Sequence, residues 1–410
     1  MQHIELVEGE PNEIPSSKLP PDIAKNLYDN FSREISIDFP TVLNDNYILR
    51  SNNYVGQICI PDELSIRINP KVSVSNIFRM VDYAYDLHEF DLLEGSIDVK
   101  TIEDLFEILA FILARRIIDR IQKGLYCDYV EEEDHIPYVR GRIQIAQTIR
   151  ANVQGSVNLW CEFEEHTDDL EDNRILMWTL HLLRNLSFKN QTVAAKIETA
   201  YRGLLGEITI EQKDAADCVD RIYNRLNEDY RSTHLLCKFF LDSIGPAFKK
   251  GDVGFISFTL LYMPTLFEKF VAKWLEENSP YLVTPKVPLN LDSNVFPAPQ
   301  YIVDVVLQDH ETSDVVGLLD TKYKLPVKKI DVKMAPQEFY RTVEFNDLNQ
   351  VHAYAAELNT TKALLVYPSD RARKMWVKIK DICVKTIVFD ITAPDLGESQ
   401  FLSDLQAALR

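Results

Sequence analysis

The six cysteines of this 410-residue chain, Cys59, Cys127, Cys161, Cys218, Cys237 and Cys383, form no C-x-x-C pair. That spacing indicates neither a zinc cluster nor a disulfide framework, and leaves reduced thiols filling apolar gaps. The eight histidines are equally dispersed, with no H-E-x-x-H, so a zinc hydrolase is not indicated. No G-x-x-x-x-G-K-[ST] is present. The chain therefore supplies no P-loop and no nucleotide site of that kind, and any nucleotide dependence must come from another subunit. No run approaches eighteen consecutive apolar residues, and the opening MQHIELVEGEPNEIPSSKLPPD is acidic and polar. These features predict a soluble cytoplasmic protein without a membrane partner. Positive charge is scarce: 44 Lys and Arg stand against 63 Asp and Glu, a formal charge of −19. Such a balance repels polyanions and lowers non-specific affinity for nucleic acid.

The chain is 46% hydrophobic, ordinary globular material for roughly two to three domains. Residues 36–72 contain ISIDFP, YILRS, YVGQICIP and LSIRINPKV, short alternating segments broken by Asn, Asp and Pro that predict a β-rich unit. A capping-box-like start at Thr101 and Asp104 then opens a helix carried by Leu105, Phe106, Leu109, Ile112, Leu113, Ile117 and Ile121 and stopped at Gly124. DNRILMWTLHLLRNL (172–186), QKDAADCVDRIYNRLN (212–227) and HLLCKFFLDSIG (234–245) read as further helices. The expected architecture is mixed α+β: a β-rich region over 1–98, a helical middle over 99–250, and an α/β region over 251–410. The last boundary falls in the pattern-breaking GPAFKKGDVG.

Chemistry concentrates in FPAPQYIVDVVLQDHETSDVVGLLDTKYK (296–324). YIVDVVLQ and VVGLLD are β-branched and aliphatic runs joined by the turn-like DHETSD, so they predict neighbouring strands that present Asp304 and Asp320 at one end of a sheet. Two carboxylates suit a hard divalent cation, Mg²⁺ with Mn²⁺ as an alternative, which keeps waters and accepts a phosphate oxygen. Lys322, two residues after Asp320, shares its strand face and can orient an attacking water or offset charge on a pentavalent phosphate. LYMPTLFEKFVAKWLEE (261–277) has the apolar spacing of a helix, and places Glu268 within reach of the same metal. In NDLNQVHAYAAEL (346–358), Gln350 and Tyr354 are an i, i+4 pair on one helical face. Tyr354 is read either as an aromatic packing on the sheet or as a residue that contacts the DNA backbone or supports the site.

Residues 320–380 hold twelve Lys and Arg against seven Asp and Glu, a surplus of five positive charges that leaves −24 for the rest. Lys324, Lys328, Lys329 and Lys333 follow the site, and Arg371, Arg373 and Lys374 follow a strand end. Each is either a solvated loop charge or a contact to a DNA backbone. Arg140-Gly141-Arg142 is read either as a hairpin turn, with Gly141 chosen for φ above zero, or as an exposed basic turn whose Arg140 or Arg142 contacts a partner subunit or DNA. Asn173-Arg174 is read as a helix-start pair, and neither is given a catalytic role.

The order helix, strand (281–287), strand, strand, helix, strand resembles the core of the PD-(D/E)xK nuclease superfamily. Asp304 and Asp320 stand at its acidic positions and Lys322 at its lysine, with Val303 in place of the proline. The Gln350 and Tyr354 pair resembles the auxiliary motif of the RecB-like branch. YVGQICIPDELSIRINPKV (54–72), FILARRIIDRIQKGLYCDYVEEEDHIPYVRGRI (111–143), CEFEEHTDDLEDNRILMWTL (161–180) and LLYMPTLFEKFVAKWL (260–275) resemble the successive blocks of the McrC family. The resemblance implies the nuclease subunit of a GTP-dependent restriction system acting on double-stranded DNA with modified cytosine. It also implies that the amino-terminal β-rich part docks on a hexameric AAA+ GTPase, McrB, and stimulates it. Two other functions remain open on the residues: a non-catalytic adaptor that only activates the GTPase ring, and an autonomous RecB-like repair exonuclease.

Overall fold

The computed structural model describes residues 2–41, 44–60, 64–87, 100–153, 155, 157–249, 258–290, 300–324, 344–368 and 375–410. Contacts divide the chain into two compact units, Met1–Leu105 with Gly254–Arg410, and Phe106–Val253. This grouping differs from three consecutive regions. The first and last of them share a unit because a strand at 258–262 completes the amino-terminal sheet.

The amino-terminal part runs β1 (Gln2–Val7), β2 (Asn12–Pro15), α1 (Pro21–Phe31), β3 (Ile35–Asp38), β4 (Asn46–Ser51), β5 (Tyr54–Ile60), β6 (Leu64–Asn69) and α2 (Val74–Ala84). With β10 (Phe258–Tyr262), these strands form a four-stranded sheet of order β1-β6-β5-β10 and a three-stranded sheet of order β2-β4-β3. β1 lies parallel to β6, and the remaining pairs are antiparallel. Pro21 stands at the first turn of α1, where a missing N–H costs nothing, and Ile23, Leu27 and Phe31 recur at helical spacing on its buried face. They close over Leu6, Ile35, Leu49, Ile58, Leu64 and Ile66, the core of this part.

The second unit takes α3 (Ile102–Lys123) from Phe106 onward, then β7 (Asp128–Ile136), β8 (Arg142–Ile143), α4 (Ile145–Val153), β9 (Leu159–Thr167), α5 (Glu171–Arg184), α6 (Gln191–Leu204) and α7 (Tyr230–Lys249). α3 opens on the expected reciprocal cap, Thr101 and Asp104 exchanging side-chain and backbone bonds of 3.0 and 3.2 Å. Two expectations fail here. The stretch 212–227 holds a single 3₁₀ turn, Ala215–Cys218, instead of a helix. Its polar side chains take the backbone bonds a helix would need: Asn224 N–H donates to Asn227 Oδ1 and Leu226 N–H to Asn224 Oδ1. The region read as a helical middle also contains a sheet of order β7-β9-β8. Every residue of β7 but His135 and Ile136 is exposed, so no alternation betrays the strand. Gly141 turns into β8 with φ +63°, and a Cβ there would lie 2.2 Å from the Glu162 carbonyl oxygen. Arg140 pairs with Glu165 at 3.1 Å and covers the Phe163 ring. Asn173 and Arg174 are internal fasteners. Buried Asn173 donates to the Tyr126 and Asp168 carbonyls and accepts from the Tyr230 hydroxyl, while Arg174 forks onto Asp169.

The carboxy-terminal part follows β10 with α8 (Met263–Asn278), β11 (Leu282–Asn290), β12 (Gln300–Gln308), β13 (Val315–Thr321), α9 (Phe345–Glu357), β14 (Lys362–Tyr367), β15 (Trp376–Ile379), β16 (Ile382–Val388) and α10 (Pro394–Leu409). The six strands order as β11-β12-β13-β14-β16-β15. β11, β12 and β13 form an antiparallel meander, and β13, β14 and β16 run parallel. The helix that separates β13 from β14 supplies the long crossover parallel strands require. Val351, Tyr354 and Ala355 of α9 bury against Val303, Leu318, Ala363, Leu365 and Val384 of the sheet. A second, aromatic cluster joins Phe270 and Trp274 of α8 to Phe389 and Phe401. No helix among the described residues is long and apolar enough to cross a membrane.

Candidate active site

The antiparallel register sets Val305 opposite Leu319, so one step further Asp304 and Asp320 face each other on adjacent strands. Opposed residues present their side chains on the same face of the sheet. Thr321 fixes the first of them: its backbone N–H and its hydroxyl both donate to Asp304 Oδ2, at 2.7 and 2.8 Å. Asp320 is 2% exposed. Lys322 Nζ lies 2.6 Å from Asp320 Oδ2, an ion pair that leaves this oxygen without a directional hydrogen bond among the described residues. The lysine ammonium donates onward to Gln350 Oε1 at 2.9 Å, and Gln350 Nε2 to the Tyr354 hydroxyl at 2.6 Å. Asp320, Lys322, Gln350 and Tyr354 thus form one continuous polar chain from the sheet to α9. Tyr354 joins both of its readings, since it is buried in the sheet-helix core while its hydroxyl ends the chain.

Electrostatics follow from that crowding. Burial first, then the neighbouring Asp304, push the Asp320 carboxyl up to about 7, against the opposing pull of Lys322. Burial alone would depress the Lys322 ammonium, but Asp320, Asp347 and Asp304 outweigh it and hold its pKa above the ordinary lysine value. Burial and Asp304 also raise the Glu268 carboxyl. Two facing carboxylates, one of them buried and reluctant to ionise alone, fit a hard divalent cation whose charge would offset their repulsion.

Not every expected residue joins the group. Glu268 pairs with Lys286 at 2.9 Å, and no three His, Cys, Asp or Glu side chains among the described residues gather as a ready-made cation site. Glu268 is therefore near Asp304 but engaged elsewhere. Lys324 binds Asp347 at 2.6 Å and Glu344 at 3.2 Å, acids on and beside α9. Lys328, Lys329, Arg371, Arg373 and Lys374 lie outside the described residues. Two residues were missed. Thr321 anchors Asp304, and the buried Asp347 stands between Lys324 and Lys322, 3.9 Å from the latter. Asp347, Gln350 and Tyr354 follow one another at i, i+3 and i+7, spacing that would have marked Asp347 as sharing their face.

Comparison with known proteins gives the family. The family model described as McrBC 5-methylcytosine restriction system component matches residues 49–368. The chain is 23% identical over 325 residues to the type IV methyl-directed restriction enzyme EcoKMcrBC of Escherichia coli K12, covering 76% of this chain and 90% of that protein. Among solved structures it resembles a chain from an assembly of Thermococcus gammatolerans McrB AAA+ hexamers with bound McrC. There the TM-score is 0.54 at 18% identity, over 99% of this chain and all of that one. A second Thermococcus gammatolerans McrBC complex aligns with 68% of this chain at a TM-score of 0.42 and 20% identity. With the family model spanning most of its length, the chain belongs to the McrBC 5-methylcytosine restriction system components.

Proposed function

We propose that this chain is the metal-dependent DNA endonuclease subunit of a GTP-dependent restriction complex, with a McrB-like hexameric AAA+ GTPase as its partner and DNA carrying modified cytosine as its substrate. The observation that carries the reading is the continuous contact from Asp320 through Lys322 and Gln350 to Tyr354, beside an Asp304 locked by Thr321. The element order α8-β11-β12-β13-α9-β14 supports a PD-(D/E)xK core, because it sets these groups at one sheet end under one helix. The absence of a P-loop in the sequence assigns GTP to the partner.

Asp304 and Asp320 would hold Mg²⁺ or Mn²⁺, which supplies Lewis-acid polarisation of the scissile phosphate and a more acidic bound water. The residues of the chain do the rest. Lys322 presents a fixed positive charge that stabilises developing negative charge on the phosphate oxygens. Gln350 accepts from that ammonium and holds it in place, and Tyr354 holds Gln350. Burial around Asp320 keeps these interactions in a low dielectric, where each is stronger than in water.

The test is cleavage of 5-methylcytosine DNA by the chain assembled with its GTPase, GTP and Mg²⁺. Asp320→Ala is expected to abolish cutting while the GTPase is still stimulated. Cutting at the parent rate by this variant overturns the endonuclease assignment, and efficient degradation of free ends by the isolated chain would point to an autonomous exonuclease instead.

A further inference from the structure

Lys322 has four rotatable side-chain bonds, and it sits where sheet pairing runs out. β13 ends at Thr321, and among the described residues the last link to the sheet is the Lys322 N–H donating to the Val366 carbonyl at 2.8 Å. Gln350 fixes the tip of that side chain, but holding the ammonium against Asp320 within a few tenths of an ångström also requires the main chain just past the strand to be fixed. What pins the chain beyond this point is the next residue. Side chains alternate along an extended segment, so Lys322 and Lys324 face the site while Tyr323 points the other way. Tyr323 is 7% exposed, its ring lies 6.0 Å from that of Phe267 on α8, and its hydroxyl donates to Glu8 Oε2 at 3.3 Å.

Glu8 is itself an anomaly. It is a carboxylic side chain only 1% exposed, in the first residues of a chain rich in solvated acids. It follows β1 directly, and its backbone N–H donates to Asn69 at the end of β6. The same Oε2 that receives the Tyr323 hydroxyl also accepts from the Lys71 N–H at 3.3 Å. A buried acid is retained at a cost of several kcal/mol unless it is bonded, and here its bonds join the four-stranded amino-terminal sheet to the residue after the site lysine.

We infer that Glu8 and Tyr323 are positioning residues: their hydrogen bond fastens the end of β13 to the amino-terminal sheet and so holds Lys322 in place against Asp320. The inference rests on Lys322 acting in phosphodiester cleavage, as proposed above. A bond between a phenol and a carboxyl needs only an acceptor on residue 8, so Glu8→Gln preserves it, whereas Glu8→Ala and Tyr323→Phe do not.

The experiment uses the full chain assembled with its GTPase, and measures kcat and KM for cleavage of 5-methylcytosine DNA, GTP hydrolysis and the melting temperature. Tyr323→Phe and Glu8→Ala are expected to lower kcat about tenfold, the effect of one lost hydrogen bond to a positioned group, with KM and GTP hydrolysis unchanged. Glu8→Gln should restore kcat to within about threefold of the parent. Parent-level kcat in both Tyr323→Phe and Glu8→Ala overturns the tie. So does a fall that tracks lost GTP hydrolysis or melting, or that Glu8→Gln shares. A Lys322→Ala arm separates the two claims: if it cuts normally the catalytic reading fails, and if it is dead while Tyr323→Phe cuts normally only the tie fails.

Discussion

Thr321 donates twice to a single oxygen of Asp304, through its backbone N–H and its hydroxyl. An acid on one strand is thereby clamped by the strand beside it, and its rotamer is set before any ligand arrives. Thr321→Val keeps the backbone donor, the volume and the β-branching but deletes the hydroxyl. Hydrogen bonds to charged groups contribute about 1.5–3 kcal/mol, so losing one of the two should slow cleavage roughly ten- to a hundredfold without unfolding the chain. Single-turnover cleavage at saturating Mg²⁺ measures it, and parent-level cleavage by Thr321→Val would show that Asp304 needs no clamp.

The crowding of Asp320 makes metal-free stability depend on pH in a defined direction. Its carboxyl is raised to about 7 in the folded chain from 3.8, so between these values the folded state binds more protons than the unfolded state. Stability must therefore fall as pH rises from about 4 to about 7, by an amount on the order of 4 kcal/mol if the whole shift is expressed. Asp320→Asn removes the titrating group. In chelator, the variant should melt at or above the parent temperature at pH 8 and lose that advantage near pH 4. Millimolar Mg²⁺ should raise the melting temperature of the parent and not of the variant. Equal responses to Mg²⁺ in both proteins would remove Asp320 from the metal site.

Much of this arrangement was legible in the residues because strands and helices of the carboxy-terminal part have clean periods. YIVDVVLQ and VVGLLD read as strands from their β-branched and aliphatic runs, and a period of two then put Lys322 on the face of Asp320. Gln350 and Tyr354 were readable for the analogous reason at helical spacing. What escaped was set by tertiary context. β1 and α1 lie in a stretch too rich in Pro, Glu and Ser to signal order, yet Leu6 and Leu27 are fully buried. β7 carries four consecutive acids, Glu131 to Asp134, and opposes Glu162, Glu164 and Glu165 of β9, a pairing that cross-strand charge rules disfavour. Thr321 carries no signal at all in sequence, because its role exists only once the pairing of β12 with β13 brings Asp304 within its reach.

His234 offers a second pH dependence, of opposite sign. It is fully buried on α7, with Nδ1 at 2.9 Å from the Tyr223 hydroxyl and Nε2 at 3.0 Å from the Asp172 carbonyl oxygen. Burial, aided by the nearby Arg221 and opposed by the Asp172 backbone, pulls its pKa down to about 4 from 6.5. The unfolded state then binds more protons between these values, so this contribution is complete above about pH 6.5 and is lost as pH falls towards 4. The full shift corresponds to about 3 kcal/mol. With the opposing Asp320 titration removed by Asp320→Asn, urea midpoints at pH 7, 5.5 and 4 should fall in step, and fall less steeply when His234→Gln is added. A parallel decline in both would assign the acid sensitivity to other groups, Asp169 first among them, since Arg174 holds that carboxyl down to about 2.

Gly141 tests the turn that precedes β8. Its φ of +63° lies in the left-handed region, and an added Cβ would meet the Glu162 carbonyl oxygen at 2.2 Å and Phe163 Cβ at 2.8 Å. The first contact is with backbone, which cannot rotate away, so Gly141→Ala must shift β8 from β9 or distort the turn. Strain of this kind costs on the order of 1–3 kcal/mol. Its reach should be local: the small core of Ile136, Cys161 and Phe163 loosens, and Arg140 leaves its place over the Phe163 ring and beside Glu165. Hydrogen exchange of amides in 159–167 should accelerate about tenfold or more while those of β12 and β13 keep the parent rate. Unchanged exchange in β9 would mean that the close approach at residue 141 is relieved without disturbing the sheet.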